Sequence, residues 1–534
     1  MKTVIIRDMN KCFFWLVLGL VFPITSFAAN SEMKLSLVLG KEVAIAGDYI
    51  PAAVFLQNDT RTNPSSIAYL EIFNEKGDAI VQQIIPLKNS TGEVLLNIPS
   101  QLSTGYYLVR GYTKSLLALN PNEVSYQWIA VVNPEKPSSV VSSSQEDNME
   151  LSESKKVAVS TPQISKREKL EFSSDLVDVK LVLARKLHRG IKMPSAYAEQ
   201  TSLPPMEVFR SMDVFGHTLV VEGLNEGEKL YISTLGEDQR LFTVKGNDRK
   251  VASIELGNIS NIESLVVQSA KGTDSKNFRI QSPFWRHKPS LADWPTLLIP
   301  ESVVEDFKID FLQREVNKFF HLPDTLVSGS HFEVFSPEKI YILDEYNRFE
   351  NLATTIREYV TEVLIRNQNG SRGIKVINKN NGEAFEENPL ILIDGVPVFN
   401  VDELLKWPAR FIQRLEIIDR PYLLNGDVYA GVIQVITIEG NMANFPLPES
   451  SLVMSYPSMV DRVRFNSPDY FNSAQKRIPD FRSLLFWQLA GGEEGIGRNH
   501  LYASDYMGEY ELLVYALDDD GKLSLFRSKF EIIE

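Results

Sequence analysis

Residues 389–398 read Pro389-Leu390-Ile391-Leu392-Ile393-Asp394-Gly395-Val396-Pro397-Val398. Leu415-Glu416-Ile417-Ile418-Asp419 and Gly431-Val432-Ile433-Gln434-Val435-Ile436-Thr437 follow. Asp394-Gly395 between apolar runs predicts a two-residue hairpin, because a type I′ turn needs positive φ at both central positions. Asn400, with Glu403 three residues later, suits a capped start for a helix over 401–407. Strands at 374–377, 390–393, 411–418 and 428–438 would complete a small mixed sheet. Ahead of them Tyr346, Phe349, Leu352, Ile356, Tyr359 and Val363 recur every three or four residues, which predicts a helix over 344–363.

This order of turn, helix and strands resembles the plug domain of TonB-dependent outer-membrane receptors. There an LIDG hairpin, an I-E-x-I strand and a closing GVI-x-V-I-T strand follow one another. A plug sits inside a 22-stranded barrel. Spanning strands of roughly 9–11 residues each would need about 200 residues before any turns, and only 441–534 follow. The expectation is therefore a plug-like module (334–440) without its pore. Plugs of this family are gated through an N-terminal TonB box, and no such segment is recognised here. The resemblance does not carry energy-coupled transport with it.

The first 28 residues read as a secretory signal. Lys2, Arg7 and Lys11 form a basic start, 13–22 is apolar, and Ser26-Phe27-Ala28 offers a small-x-small cleavage site. The apolar run is short for a spanning helix. Cys12, the only cysteine, lies inside this leader, so no disulfide and no thiolate metal site is expected in the exported chain. The whole sequence has a net charge of −14, and loss of the leader makes it more acidic. An acidic surface argues against nucleic acid and against adsorption to anionic lipid. Solubility explains it without an acidic binding face, since no acidic block reaches five residues.

The remaining chain reads as mainly β and multi-domain, with serial sandwiches of Ig/MG-like type plus the small α+β unit. Short strands recur about every ten residues over 29–133, with turn residues between them, as in an antiparallel sandwich. Val43-Ala44-Ile45-Ala46-Gly47-Asp48-Tyr49-Ile50 and Gly105-Tyr106-Tyr107-Leu108-Val109-Arg110-Gly111-Tyr112-Thr113 resemble the opening and closing strands of the MG2-type domain of bacterial α2-macroglobulin relatives. A Ser/Glu/Lys-rich stretch at 134–165 predicts a flexible linker. A second sandwich is expected at 166–282, an irregular connector with Trp285 and Trp294 at 283–333, and a connector with a β-rich end at 441–534. Pro479-Asp480-Phe481-Arg482 and Ser504-Asp505-Tyr506-Met507-Gly508-Glu509-Tyr510 resemble the ending of Gram-negative (Bacteroidetes-type) envelope proteins that combine MG2-like and plug-like domains.

Chemistry is sparse. Macroglobulins trap proteases through a Cys–Gln thioester, which a chain without an exported cysteine cannot form. The six histidines show no H-E-x-x-H spacing, and neither a G-x-S-x-G elbow nor a phosphate loop occurs. No catalytic, cofactor-binding or metal residue is expected. Asp394 could ligate a cation or contact a partner, or could serve the turn alone. Gly426 and Gly431 read as backbone devices. Arg410, Arg414 and Arg420 flank one strand, where the plug family approaches barrel wall or ligand; charges that deter edge pairing are the plainer reading. Phe399, Trp407 and Tyr429 suit either a sugar or peptide platform or packing.

These readings together imply a non-enzymatic scaffold or binding protein. It would be exported to the periplasm, the outer membrane or the cell surface and would associate with an outer-membrane barrel complex by strand addition. The contact residues would be Arg410, Arg414, Arg420, Phe399 and Trp407. The alternatives are a secreted adhesin or carbohydrate- or peptide-binding surface protein, and a hydrolase with a dispersed site.

Overall fold

The computed structural model describes residues 33–58, 64–119, 121–136, 140–141, 154–197, 213, 216–257, 259–269, 278–291, 293–320, 336–368, 371–457, 459, 470, 477–490, 499–518 and 521–534. The expected leader lies outside these residues. The chain is mainly β, built as several sandwiches and one mixed α+β unit.

The first sandwich follows the predicted alternation. Lys34–Leu39, Tyr49–Gln57 and Thr91–Asn97 form one sheet; Val43–Ile45, Ser125–Val132, Gly105–Tyr112, Ile67–Phe73 and Ala79–Pro86, in that order, form the other. Leu35, Ile50, Val54, Leu70, Val109 and Ile129 fill the space between them. Every residue of Ile67–Phe73 is buried, so the outer face of its sheet is covered as well. The cover is the stretch expected to be an irregular connector. Phe284, Leu297 and Ile299 pack there, together with a helix, Val304–Phe320, that replaces the expected irregularity. Under this cover lies the Arg110–Glu71 ion pair. Arg110 Nε donates to Glu71 (3.0 Å) and Nη1 to the His287 carbonyl (2.7 Å), while the Phe73 and Trp285 rings flank the guanidinium at 4.6 Å.

Beyond residue 133 the chain nests. Val179–Lys186 was expected in one sandwich with the strands near 217–269, but it pairs with Gly508–Leu517 on one side and Leu484–Leu489 on the other. Its run of consecutive buried residues, Leu181 to Ala184, needs cover on both faces, and the C-terminal strands supply Leu512, Leu513 and Val514. Within the stretch expected to be a linker, Val157–Val159 and Gln163–Ser165 are strands of this same sandwich. A separate sandwich forms from His217–Glu222, Lys229–Gly236, Leu241–Lys245, Val251–Gly257, Ile262–Ser269 and Arg279–Ile280, and Leu452–Met454 returns to join it. The mixed unit is thus inserted in one sandwich, which is itself inserted in another.

Inside the mixed unit the sheet order is Lys339–Ile342, Ile412–Ile418, Val432–Thr437, Leu390–Ile393, Val396–Pro397. Leu390–Ile393 and Val432–Thr437 run parallel and the other neighbours antiparallel. Asp394 and Gly395 have φ of 45° and 79°, as the hairpin required. The Asp394 carboxylate nevertheless points inward. It is fully buried and accepts from Thr437 N (2.8 Å), Thr437 Oγ1 (2.5 Å) and Met442 N (2.7 Å). The helix expected over 344–363 is shorter, Leu352–Tyr359, because Asn351 caps it by accepting from Thr354 N. Tyr346 and Phe349 precede the helix and reach its face by tilted ring contacts with Tyr359, at 4.6 and 5.5 Å. Helix Val401–Lys406 starts where expected, with Asn400 accepting from Glu403 N (3.2 Å).

Two stability predictions follow from these burials. Asp394→Ala orphans the Thr437 and Met442 amides at a cost of about 1–3 kcal/mol each, which urea unfolding at neutral pH would read. His217, at the junction of two sandwiches, bonds the Tyr456 hydroxyl through Nε2 at 2.5 Å. Burial, with the Lys114 charge adding to it, pushes its pKa from 6.5 down to about 3. Between those values the unfolded chain binds a proton that the folded chain refuses, so stability falls as the solution is acidified. The slope is about 1.4 kcal/mol per pH unit. His217→Asn should remove that contribution from unfolding curves compared at pH 7 and pH 5.

Candidate partner-binding surface

The mixed sheet is apolar on both faces. Ile391, Ile393, Leu415, Ile417, Ile433 and Val435 turn toward the helices and meet Leu352, Ile356, Leu404 and Leu405. Leu390, Leu392, Ile418 and Val432 turn the other way, onto Tyr231 and Leu241 of the neighbouring sandwich. Hydrogen bonds tie the second contact: Ser233 Oγ donates to the Gly395 carbonyl (2.9 Å), Gln268 Nε2 to that of Pro397 (3.1 Å), and Gln239 Nε2 to that of Gly440 (2.8 Å).

What remains open is one edge. Among the described residues Lys339–Ile342 pairs only with Ile412–Ile418. Ile340 and Ile342 stand opposite Glu416 and Arg414, on the sandwich-facing side but beyond its cover, and are 54% and 41% exposed. Tyr341 stands opposite Leu415, on the helix side, with Tyr346 at 6.3 Å. Apolar side chains therefore flank this edge on both faces. A second exposed apolar pair, Leu423 and Val428, lies cross-strand on the hairpin Tyr422–Leu424/Asp427–Tyr429.

The five residues expected to form a contact surface are not brought together. Trp407 is buried among the helix-side residues, with Phe411 at 5.9 Å and Phe445 at 5.3 Å. Phe399 is exposed on the opposite side, edge-on to Tyr231 at 5.6 Å. Tyr429 also belongs to that side: its hydroxyl accepts from Lys229 Nζ (2.5 Å) and lies 3.2 Å from the Tyr231 hydroxyl. Trp407 is thus apart from the other two, because it ends helix Val401–Lys406 on the opposite face of the sheet. The three arginines each have their own contact. Arg410 is exposed over the Phe411 ring (4.8 Å), Arg414 Nε donates to Glu416 (2.7 Å), and Arg420 Nε donates to Glu338 (2.5 Å). Lys379 also donates to Glu338, at 3.0 Å. Partial burial alone would raise the Glu338 carboxyl; the bonds from Lys379 and Arg420 outweigh it and hold the group below its ordinary value. Among the described residues no group of three or more His, Cys, Asp or Glu could hold a metal ion, and no helix is long and apolar enough to cross a membrane.

The Lys339–Ile342 strand was not anticipated. Its signal is visible as Lys339-Ile340-Tyr341-Ile342, an aromatic between two β-branched residues, but the helical periodicity that begins at Tyr346 drew the reading past it.

No protein-family model matches the chain, and no curated protein matches it. Some solved structures do. The CARDB domain of the PF1109 protein from Pyrococcus furiosus, in complex with di-metal ions, is similar over 19% of this chain and 88% of that one, at 10% identity and a TM-score of 0.15. Salmonella α2-macroglobulin reacted with methylamine is similar over 94% of this chain and 23% of that one, at 7% identity and a TM-score of 0.16. Escherichia coli α2-macroglobulin activated by porcine elastase is similar over 94% and 44%, at 10% identity and a TM-score of 0.23. The chain spans less than half the length of these macroglobulins. Overlaps of this size carry no argument, and the fold class rests on the sheets described above.

The different settings of Trp407 and Arg410 are measurable. Trp407→Ala should cost about 3–5 kcal/mol by chemical denaturation, as for a large aromatic removed from a core. Arg410→Ala should stay within about 0.5 kcal/mol of the parent.

Proposed function

We propose that the protein is a non-enzymatic scaffold or binding protein of the Gram-negative (Bacteroidetes-type) cell envelope. In this reading it is exported to the periplasm or the outer-membrane surface and associates with a barrel complex through its plug-like unit and MG2-like sandwich. The observation that carries the reading is the plug-like sheet with both faces occupied and one apolar-flanked edge exposed. A sheet edge of that kind offers backbone hydrogen bonds for affinity and side-chain contacts on alternate positions for selectivity. The order of the LIDG hairpin, the I-E-x-I strand and the closing GVI strand supports the plug-like assignment. The buried Arg110 in the G-Y-Y-L-V-R-G-Y-T segment supports reading that segment as a structural strand of the sandwich.

The test is photo-crosslinking in the envelope of the source cell, with the probe placed at Phe399, Arg410 or Leu423. Adducts with an outer-membrane barrel protein after mild detergent extraction are the expected result. Release of the protein into the medium, with affinity for sugar or peptide and no membrane-protein adduct, would overturn the reading in favour of an adhesin.

A further inference from the structure

We infer that His217 is an acid-sensitive clip between the first sandwich and the sandwich that begins at His217–Glu222. When the imidazole takes up a second proton, the junction opens while each sandwich keeps its own fold. The inference rests on the geometry of the junction and on no property of the envelope reading.

The chain enters the inserted sandwich at His217 and leaves it after Tyr456, and the bond between His217 Nε2 and the Tyr456 hydroxyl (2.5 Å) ties the two ends together. On either side the chain is fastened to the first sandwich. Before His217, the Asp213 carboxylate accepts from the Tyr69 hydroxyl (2.5 Å) and pairs with Lys114 Nζ (2.7 Å), while the Ser66 amide donates to the Asp213 carbonyl (3.2 Å). The Gly216 amide donates to Ser66 Oγ (2.7 Å). After Tyr456, Met459 forms parallel bridges with Ile84 of the first sandwich and with Ser260 of the inserted one. His217 thus stands between two fastenings.

A neutral imidazole fits this position and a cation does not. His217 is 4% exposed, and its Nδ1 has no hydrogen-bond partner. In an imidazolium both ring nitrogens donate. Nε2 would keep Tyr456, but Nδ1 has no acceptor. The pocket beside the ring is lined by Ile84, Leu256, Ile259, Ile262 and Met459, which offer nothing better than a thioether. The ionisable groups around it do not compensate. Lys114, on helix Lys114–Leu119 of the first sandwich, is a like charge that adds to the penalty of burial. The Asp213 carboxylate is already held by Lys114 and Tyr69. Burial, and then the Asp213 charge, push the Tyr456 hydroxyl up, so it stays neutral. Glu255, on the neighbouring strand Val251–Gly257, stands opposite Thr218 and is exposed.

Opening here leaves both bodies intact. The first sandwich is filled between its own sheets by Leu35, Ile50 and Val54, and the inserted one by Leu219, Leu230 and Val267. Between them lies a smaller cluster that includes Tyr69, Ile84, Phe284 and Met459. Separating the junction gives up that cluster and neither filling, and such sub-global openings cost less than global unfolding. Linkage fixes the direction. Burial holds the closed-state pKa at about 3 against 6.5 in water, so below pH 6.5 the open junction binds a proton that the closed one refuses. Between pH 7 and pH 5 the equilibrium shifts toward the open form by about twentyfold.

Hydrogen exchange of the intact protein at pH 7 and pH 5, corrected for the intrinsic pH dependence of amide exchange, tests this. The reporters are the Ser66 and Gly216 amides, which span the junction. The references are the Leu70 and Val267 amides, on central strands of the two sandwiches. At pH 5 the reporters should exchange about tenfold or more faster than the references. Their protection should fall about twentyfold from pH 7 to pH 5. His217→Asn should abolish that fall. Tyr456→Phe, which removes the hydroxyl and leaves the imidazole buried, should loosen the reporters at both pH values and keep the fall. Reporters protected as strongly as the references, no fall between the two pH values, or a fall unchanged in His217→Asn would each overturn the proposal.

Discussion

Leu390–Ile393 carries four apolar residues in succession, all buried, and its parallel neighbour Val432–Thr437 is buried at every position. A strand that is apolar on both faces cannot leave either face in water, so its sheet must be covered twice. Helices Leu352–Tyr359 and Val401–Lys406 cover one face, and a sandwich built by residues before and after the unit covers the other. This requirement explains why the mixed unit sits inside a sandwich and does not hang from a linker. In chain order residues 217–269 supply the cover before the sheet, and Leu452–Met454 completes the sandwich after it.

The same logic decides what could be read from the chain and what could not. Strands declared themselves through alternation and turn residues, because those signals are local. Partners did not, because they are remote. Val179–Lys186 has the composition of a central strand, yet nothing within it says that its neighbours lie more than 300 residues away at Gly508–Leu517. A helix start is local, but in 344–363 the apolar spacing outweighed the capping signal of Asn351, and the cap governed the backbone. Asp394 shows a finer limit. Its turn conformation was legible from Asp-Gly, whereas the inward carboxylate depends on amides at 437 and 442 that only the folded chain brings near. Of the candidate contact residues, Phe399 and Arg410 are exposed, which their types alone did not decide, while Trp407 is placed by the packing of helix against sheet.

Buried arginines mark where distant segments join. Arg185 donates to Glu511 within its own sheet and to Glu42 of the first sandwich, at 2.8 and 2.7 Å. Glu71 and Arg110 lie under the residues that cover the first sandwich. Pairs of this kind add little net stability over apolar substitutes, but leaving one member alone is costly, about 3–5 kcal/mol. Their effect is to penalise any arrangement in which the joined segments separate, a constraint that apolar packing imposes less selectively.

Against that background the exposed edge stands out by its composition. Edges of natural sheets are shortened, charged, closed by proline or covered, because an unpaired row of amides and carbonyls invites a further strand. The Lys339–Ile342 edge is short, and its Ile340 and Ile342 are both exposed. Tyr341, Tyr346, Phe349 and Tyr359 continue the apolar surface on the other face. The nested chain path covers both faces of this sheet, and among the described residues no strand pairs with the outer side of Lys339–Ile342. A further lysine or a proline would deter pairing at this edge, and Lys339 is the one such residue in the strand.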